Sequence, residues 1–585
     1  MKSLLRLAET VRRLRPSQVG HRIVARLARG RAVAVPRVTP VPLPPLPAAS
    51  RRPTLRPFDG PDGTGWRFAG RRAVPDGARL VWDGEPSLLQ RYHAAYAEGV
   101  RATAEAGDLD GARRWLAAVV PGAPSHPYVR ARRVLALVEA RSAGLVEADP
   151  VVAADAEALV RRPEWDVRGN HLVCNGAALV RAGAAFAGPA ARRWARRGAA
   201  VLSTCVADQV LPDGLHFERS PVYHALVLEH LLVALASAAA RGESPPRGVA
   251  AAAAAMTRAL DGLELPDGAP VRWRDGAPGV ALPFAALRAW AHERGLDPAG
   301  GGDGLVEGGD APRGPRTFPA AGLAVVADPS TRCAATLVVA PPCPADLPAH
   351  GHADALSYEA VLGGTRVVAA AGTAAYGAGP ARDRDRRPGA FAGATLDGVA
   401  PADPYGAFRV GARGFVRRLE TGVTKGWRFA VGVSGGFHDA VPHAVHRRVV
   451  ALSPAGTLVV VDEWTGDGTH RVDAFLPLAP GFTATPDAEG ALVVGAGRAR
   501  RLSAPGATVT LEEGFYAEGL GAAVARPVLR LAAVGPLPMR RLHAWTDGPT
   551  PASVHATPIA GGELRVVVAR GSVVETGWVP AGRPA

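Results

Sequence analysis

The spacing of apolar residues changes once along this chain, and that change restricts the fold more than any other feature. From Ser87 to Arg294 the spacing is helical, over Gln90–Ala106, Asp110–Val119, Pro127–Arg141, Ala153–Val160, Leu172–Ala187, Ala190–Ala207, Val222–Arg241 and Gly248–Leu260. Several of these runs stop at Gly or Pro, as helix ends do. Beyond the Gly-rich stretch Gly300–Gly314, which reads as a linker, the apolar runs are short and divided by turn residues. They are Gly322–Ala327, Ala334–Val339, Arg366–Ala370, Phe429–Val433, Arg448–Leu452, Thr457–Asp462, Ala491–Val494, Thr508–Leu511 and Leu564–Val568. Helices first and strands second predict segregated layers or domains rather than βαβ units. The expectation is an α+β multidomain chain. Helical hairpins form an incomplete (α/α) toroid over residues 58–300, and an antiparallel β-sandwich follows over 315–585. A site is expected in the cleft between them, because pockets favour domain junctions.

The formal charge of +15 belongs mostly to the first 56 residues, which hold thirteen Lys or Arg and one acidic residue, Glu9. The rest is close to neutral, so the charge describes an arm (residues 1–57) and gives no reason to expect a nucleic-acid partner. Leu4, Leu7, Val11 and Leu14 share one helical face, and Val19, Ile23, Val24 and Leu27 belong to a second helix. Such basic amphipathic helices can lie on an anionic membrane surface or pack their apolar face on the main domain, and packing is the favoured expectation. Pro36 to Pro57 reads as an extended connector. The arm has no continuous apolar core of a secretory signal, so a cytoplasmic protein, or one peripheral to the inner membrane, is expected, with the cell envelope as an alternative. Four cysteines without paired spacing form neither a zinc ribbon nor a disulfide framework.

Three segments carry the chemistry. His350-Gly-His352-Ala-Asp354-Ala-Leu-Ser357-Tyr358-Glu359 gathers two imidazoles, two carboxylates and a phenol ahead of a strand-like run. Alternating histidines on a strand reach one face and can share a metal or an acidic substrate, although an isolated pair is as readily a solvated edge. The other two are Gly169-Asn170-His171-Leu172 and the run Asp213 to His224, which contains Phe217-Glu218-Arg219-Ser220-Pro221. Alone, Asn170-His171 reads as a helix cap followed by a surface histidine, and Tyr223, after the helix-start signal Ser220-Pro221, as packing.

In this order, and with the Leu14-Arg15-Pro16-Ser17-Gln18 stretch, the segments resemble the heparinase II/III-like polysaccharide lyases, a group that includes oligoalginate lyases. The resemblance covers most of the chain and implies β-elimination beside a uronic acid. It also implies roles. Asn170 and His171 bind the substrate carboxylate, Tyr223 is the proton-donating acid and an alternative for the base, and His350 polarises the substrate or removes its proton. Glu218 and Arg219 are expected to brace the segment as a buried ion pair, with His224 a secondary substrate-binding candidate. An acidic polysaccharide or oligosaccharide is the expected partner.

The sequence departs from the family in two places. His352 matches a zinc ligand of the relatives, but Ala370 and Phe391 stand where its co-ligands belong, and neither side chain can coordinate a metal. No zinc or other cofactor is therefore expected, and Phe391 is expected to refill the space. Some relatives carry a catalytic tyrosine at the position of Arg384. The run Arg382 to Arg387 reads as a solvated loop or, with Arg384, an anionic-sugar clamp. The implied function is a lyase. The rival is a catalytically impaired glycan-binding protein associated with cell-surface polysaccharide assembly.

Overall fold

A computed structural model describes residues 2–27, 34–47, 50, 56–60, 63–296, 316–437, 441, 443–559 and 562–581. The expected linker between 300 and 314 lies outside the described residues. Ten α-helices run from Leu88–Ala95 to Phe284–Glu293 and make the helical half. The first expected helix is two, Leu88–Ala95 and Glu98–Glu105, because Ala97 between them sits in the left-handed region at φ 61°. Helix Pro221–Ala240 is long and apolar enough to cross a membrane but is buried at the centre of the helical core.

Residues 56–82 correct the expected toroid boundary. They form a four-stranded antiparallel meander, Arg56–Gly60, Gly63–Phe68, Arg71–Asp76 and Arg79–Trp82. Phe68 packs edge-on against Trp115 of the helical core, and the Trp66 indole donates to Thr103 at 3.2 Å. The Pro-rich segment is tied down too: Thr39–Pro40 pairs with Phe186–Ala187.

The sheet half is a layered antiparallel β-sandwich. Its central sheet has eight strands in the order Val416–Thr424, Trp427–Gly435, Val445–Leu452, Leu458–Thr465, Met539–Asp547, Arg498–Ser503, Gly490–Gly495 and Thr483–Asp487. Strand alternation explains why its middle strands are continuously apolar. Val450, Leu452, Leu458 and Val460 enter one core, shared with the five-stranded sheet of Thr365–Val368 to Arg316–Phe318. Val449, Ala451, Val459 and Val461 enter another, beneath the C-terminal sheet of Ser553–Ile559, Glu563–Arg570 and Val573–Pro580. Buried Arg448 pairs with Asp462 and donates at 2.8 Å to the carbonyls of Leu356 and Ala392. It thereby fixes the two loops that carry His352 and Phe391.

The basic arm reverses the favoured expectation. Helices Lys2–Val11 and Pro16–Leu27 pack through their polar sides: Arg6 on Asp403 at 2.7 Å, Thr10 on Tyr405 at 3.0 Å, and buried Gln18 on the carbonyls of Asp166 and Asp346. The apolar residues point away. Leu4 is 72% exposed, Ile23 56% and Leu27 74%.

Candidate active site

The site is organised by a residue that no motif announced, Asp275, which is wholly buried between the two halves. Its Oδ2 accepts from His350 Nδ1 at 2.9 Å and from Arg382 Nη2 at 2.6 Å. Its Oδ1 accepts from His352 Nε2 at 2.8 Å, Thr373 Oγ1 at 3.0 Å and Arg382 Nη1. Burial works to raise the Asp275 pKa, but the Arg382 guanidinium and the two imidazoles outweigh it and hold the group well below the usual carboxylate range. An ionised Asp275 fixes the His350 tautomer: Nδ1 carries the proton, and Nε2 keeps a lone pair. That Nε2 lies 3.6 Å from Glu218 Oε2.

Ser220 places Tyr223. Its hydroxyl accepts the Tyr223 backbone N–H at 3.3 Å as a helix N-cap and donates to the Asp275 carbonyl at 2.6 Å. With Pro221 opening helix Pro221–Ala240, Tyr223 falls in the first turn, and its ring stacks on His350 with centroids 3.9 Å apart. Its hydroxyl donates to Tyr376 Oη at 2.8 Å. Burial above all, then Tyr376 and Asp275, pushes the Tyr223 pKa well above its ordinary value. Burial, then Asp275, pushes Tyr376 up as well, although its hydrogen bond with Tyr223 works the other way.

Glu218 joins the helical segment to this group. It accepts the Asn170 backbone N–H at 2.9 Å and its side-chain amide at 3.1 and 3.2 Å. A β-carbon on Gly169 would fall 2.1 Å from Glu218 Oε1, so the close approach requires glycine there. The Asn170 Oδ1 is buried and has no hydrogen-bond partner among the described residues. Three arginines with positive φ, Arg168 at 66°, Arg219 at 58° and Arg274 at 60°, flank Asn170, Glu218 and Asp275. Each such conformation costs about 1–3 kcal/mol and is found where surroundings over-determine the backbone.

Asn170, Glu218, Tyr223 and His350 are thus brought together, but three expectations need correcting. Glu218 and Arg219 make no brace for each other: Glu218 turns to Asn170, while Arg219 donates to the carbonyls of Phe217 and Ala321. His224 is a core residue, not a substrate contact. Its Nδ1 accepts the His216 N–H, its Nε2 donates to the Met256 carbonyl, and burial pushes its pKa down to about 3. The Arg382–Arg387 run is neither loop nor wholly solvated, because helix Pro380–Asp385 buries Arg382, and Arg386 beyond it is buried too. Arg384 is 40% exposed and lies 4.1 Å over the Phe515 ring.

His171 leaves its neighbour's environment. It turns to Glu164 at 3.2 Å and stacks on Tyr128 at 4.1 Å. Burial opposes its charge, but Glu164 outweighs burial and raises the pKa.

The surroundings of His352 do not fit a metal. Its Nε2 is taken by Asp275, which already carries the Arg382 cation. Ala370 and Phe391 lie in an apolar cluster with Cys343, Ala353, Ala390 and Val410, and the Phe391 ring is 6.1 Å from the imidazole. Besides Asp275, sequence reading missed Arg382, Tyr376 and Thr373. Only Arg382 left a signal, as the first residue of the basic run Arg382 to Arg387.

Two histidines held by a buried carboxylate, one of them stacked on a tyrosine, thus lie between a helical toroid and a β-sandwich. The chain belongs to the heparinase II/III-like family: the heparinase II/III N-terminal model matches residues 152–277, and the heparinase II/III-like C-terminal model matches 310–536, together more than half of the chain. Its fold is similar to that of heparinase III, at 15% identity and a TM-score of 0.70, over 96% of this chain and 95% of that one. It is also similar to a mutant of the heparan sulfate lyase HepC from Pedobacter heparinus, at 16% identity and a TM-score of 0.61, over 97% and 94%. No curated protein sequence matches it.

Proposed function

We propose that this protein is a polysaccharide lyase that cleaves uronate-containing glycans by β-elimination. One observation carries the reading: His350, its tautomer set by Asp275, stacks on Tyr223. His350 Nε2 takes the proton from the carbon beside the carboxylate. The released electron pair forms the new carbon–carbon double bond, the glycosidic carbon–oxygen bond breaks, and Tyr223 delivers its phenolic proton to the departing oxygen. Return of the proton from His350 to Tyr223 restores both groups. The raised Tyr223 pKa suits a donor and disfavours a resting phenolate, so the two roles fall on different residues. Asn170 Oδ1 offers an acceptor that suits a sugar hydroxyl, and His171 in the same helical turn is the candidate partner of the substrate carboxylate. The similar heparan sulfate lyase supports an acidic glycan as substrate. Incubation with a panel of acidic glycans should give the ultraviolet absorbance of an unsaturated uronate. No absorbance with any glycan that binds would favour the second reading, a catalytically impaired glycan-binding protein, which the non-fitting surroundings of His352 recommend.

The outward apolar faces of the arm, among seven basic residues and one acidic between Lys2 and Leu27, support peripheral attachment to an anionic membrane surface. A cytoplasmic-side location, peripheral to the inner membrane, follows from that reading. Neither a nucleic-acid partner nor a resident cofactor is needed for the elimination chemistry.

A further inference from the structure

A second carboxylate with two histidines lies in the helical half, apart from Asp275. We propose that His126, Glu164 and His171 form a binding site for a divalent transition-metal ion of the zinc class. One donor atom from each residue lies within 4.8 Å of the others. Glu164 Oε1 is 3.6 Å from His126 Nε2 and 3.2 Å from His171 Nδ1. Donors about 2.0–2.2 Å from a tetrahedral zinc stand roughly 3.3 Å apart, so two edges of the triangle are already near their loaded length. Two histidines and one carboxylate are a zinc ligand set that leaves a coordination position open. This set lies outside the segments that hold His352, Ala370 and Phe391.

The donors are held as metal ligands need to be. Glu164 is buried, its Oε2 accepts from Asn175 Nδ2 at 3.3 Å, and its backbone N–H donates to Asn175 Oδ1 at 2.9 Å. Such outer contacts orient a ligating carboxylate. Tyr128 stacks on His171 and fixes its plane. The three donors come from adjoining helix ends: His126 caps helix Pro127–Ser142, Glu164 follows helix Asp149–Arg161, and His171 lies in the first turn of Gly169–Ala185. The two histidine side chains are 33% and 30% exposed, which gives an ion a way in and leaves room for a water or anionic ligand. Loading Nε2 moves the ring proton to Nδ1 and gives up the 3.3 Å cap on the Tyr128 N–H, a small loss beside a metal–nitrogen bond.

The test uses the full chain stripped with a chelator, titrated with zinc by calorimetry and with cobalt(II) by visible absorption, independently of any glycan. Wild type should take up one zinc per chain at micromolar concentration, and cobalt should give the intense bands of a low-coordinate site. His126→Ala and Glu164→Gln should each weaken zinc binding by at least about tenfold, and His352→Ala should leave it unchanged. Circular dichroism checks that each variant is folded. If Glu164→Gln is not, the half-exposed His126→Ala carries the test. No uptake by wild type, or stoichiometric uptake that survives His126→Ala, overturns the proposal, and neither result touches the lyase reading.

Discussion

Asp275 and Glu164 each hold two histidines, yet the two clusters solve the same electrostatic problem differently. Asp275 is sealed from water and carries a permanent cation, Arg382, on both oxygens. Glu164 is also buried, but its histidines are partly open, and among the described residues no guanidinium lies on its carboxylate oxygens. A buried ionised carboxylate needs a fixed partner. Arg382 fixes the charge of the first cluster across the ordinary pH range and frees His350 for proton transfer. The second depends on protons, or on a metal, for its positive charge, and so it must respond to pH.

The largest effect should come from breaking the sealed cluster. Arg382→Met leaves Asp275 buried without its cation and should cost about 3–5 kcal/mol of stability, read by denaturant unfolding. The sign with pH is fixed. Asp275 has a depressed folded pKa, so its stabilisation is present above the unfolded carboxylate value near 4 and is lost as pH falls through the folded one. Without Arg382 the folded value rises, and acid unfolding should begin at higher pH. An unchanged acid limb would show that Arg382 is not the dominant partner.

Next in size is chemistry with the fold left intact. Tyr223→Phe removes one hydroxyl and its bond to Tyr376, and turnover should fall by about two to four orders of magnitude while glycan binding persists. His350→Ala should be equally severe. His352→Ala should be milder, because that imidazole reaches the reaction only through Asp275. Equal losses from Tyr223→Phe and His352→Ala would mean that the proton-transfer group has been misassigned.

The open cluster should respond more weakly and with the opposite pH signature to Asp275 at its upper end. Glu164 is depressed because His171 outweighs its burial, and His171 is raised because Glu164 outweighs its own. The Glu164 contribution is present above its unfolded value and lost as pH falls through the folded one. The His171 contribution is full below its unfolded value near 6.5 and lost as pH rises through the folded one. Glu164→Gln should therefore cost about 1.5–3 kcal/mol near pH 6 and clearly less near pH 9. Thermal melts in metal-free buffer check it, and a pH-independent cost would place the loss in packing.

The two clusters also differ in how far the sequence disclosed them. Each of the nine expected strands overlaps an observed one, because a sheet buried on both faces writes continuous apolar runs. The meander over residues 56–82 was missed, since its short strands carry Arg71, Arg72, Asp76 and Arg79. His350 and Tyr223 stood out by motif. Asp275 did not, because it comes from an irregular segment, Val271 to Ala277, and meets His350 and Arg382 only across 75 and 107 residues of chain. Glu164 is equally silent in sequence, lying 38 residues from His126. Pairings set by tertiary contact leave no periodicity to read.

The smallest effect on stability, with a large effect on location, belongs to the arm. In both clusters polar groups face inward and are satisfied; in helices Lys2–Val11 and Pro16–Leu27 the polar side is again the packed one, and the apolar side is left to solvent. Replacing Leu4, Leu7 and Ile23 by Ser removes apolar surface that touches little of the protein, so each change should alter stability by no more than about 0.5 kcal/mol. Association with anionic vesicles should nevertheless fall sharply, since it scales with buried apolar area and with attraction of the arginines to the headgroups. Cosedimentation with vesicles containing acidic lipid, against neutral vesicles, measures both terms. Wild type should bind the acidic vesicles and release them at high salt, and the triple variant should bind neither. Wild-type protein that ignores acidic vesicles, or a triple variant that binds them equally well, would remove the apolar face from the argument and leave the arm a packing element alone.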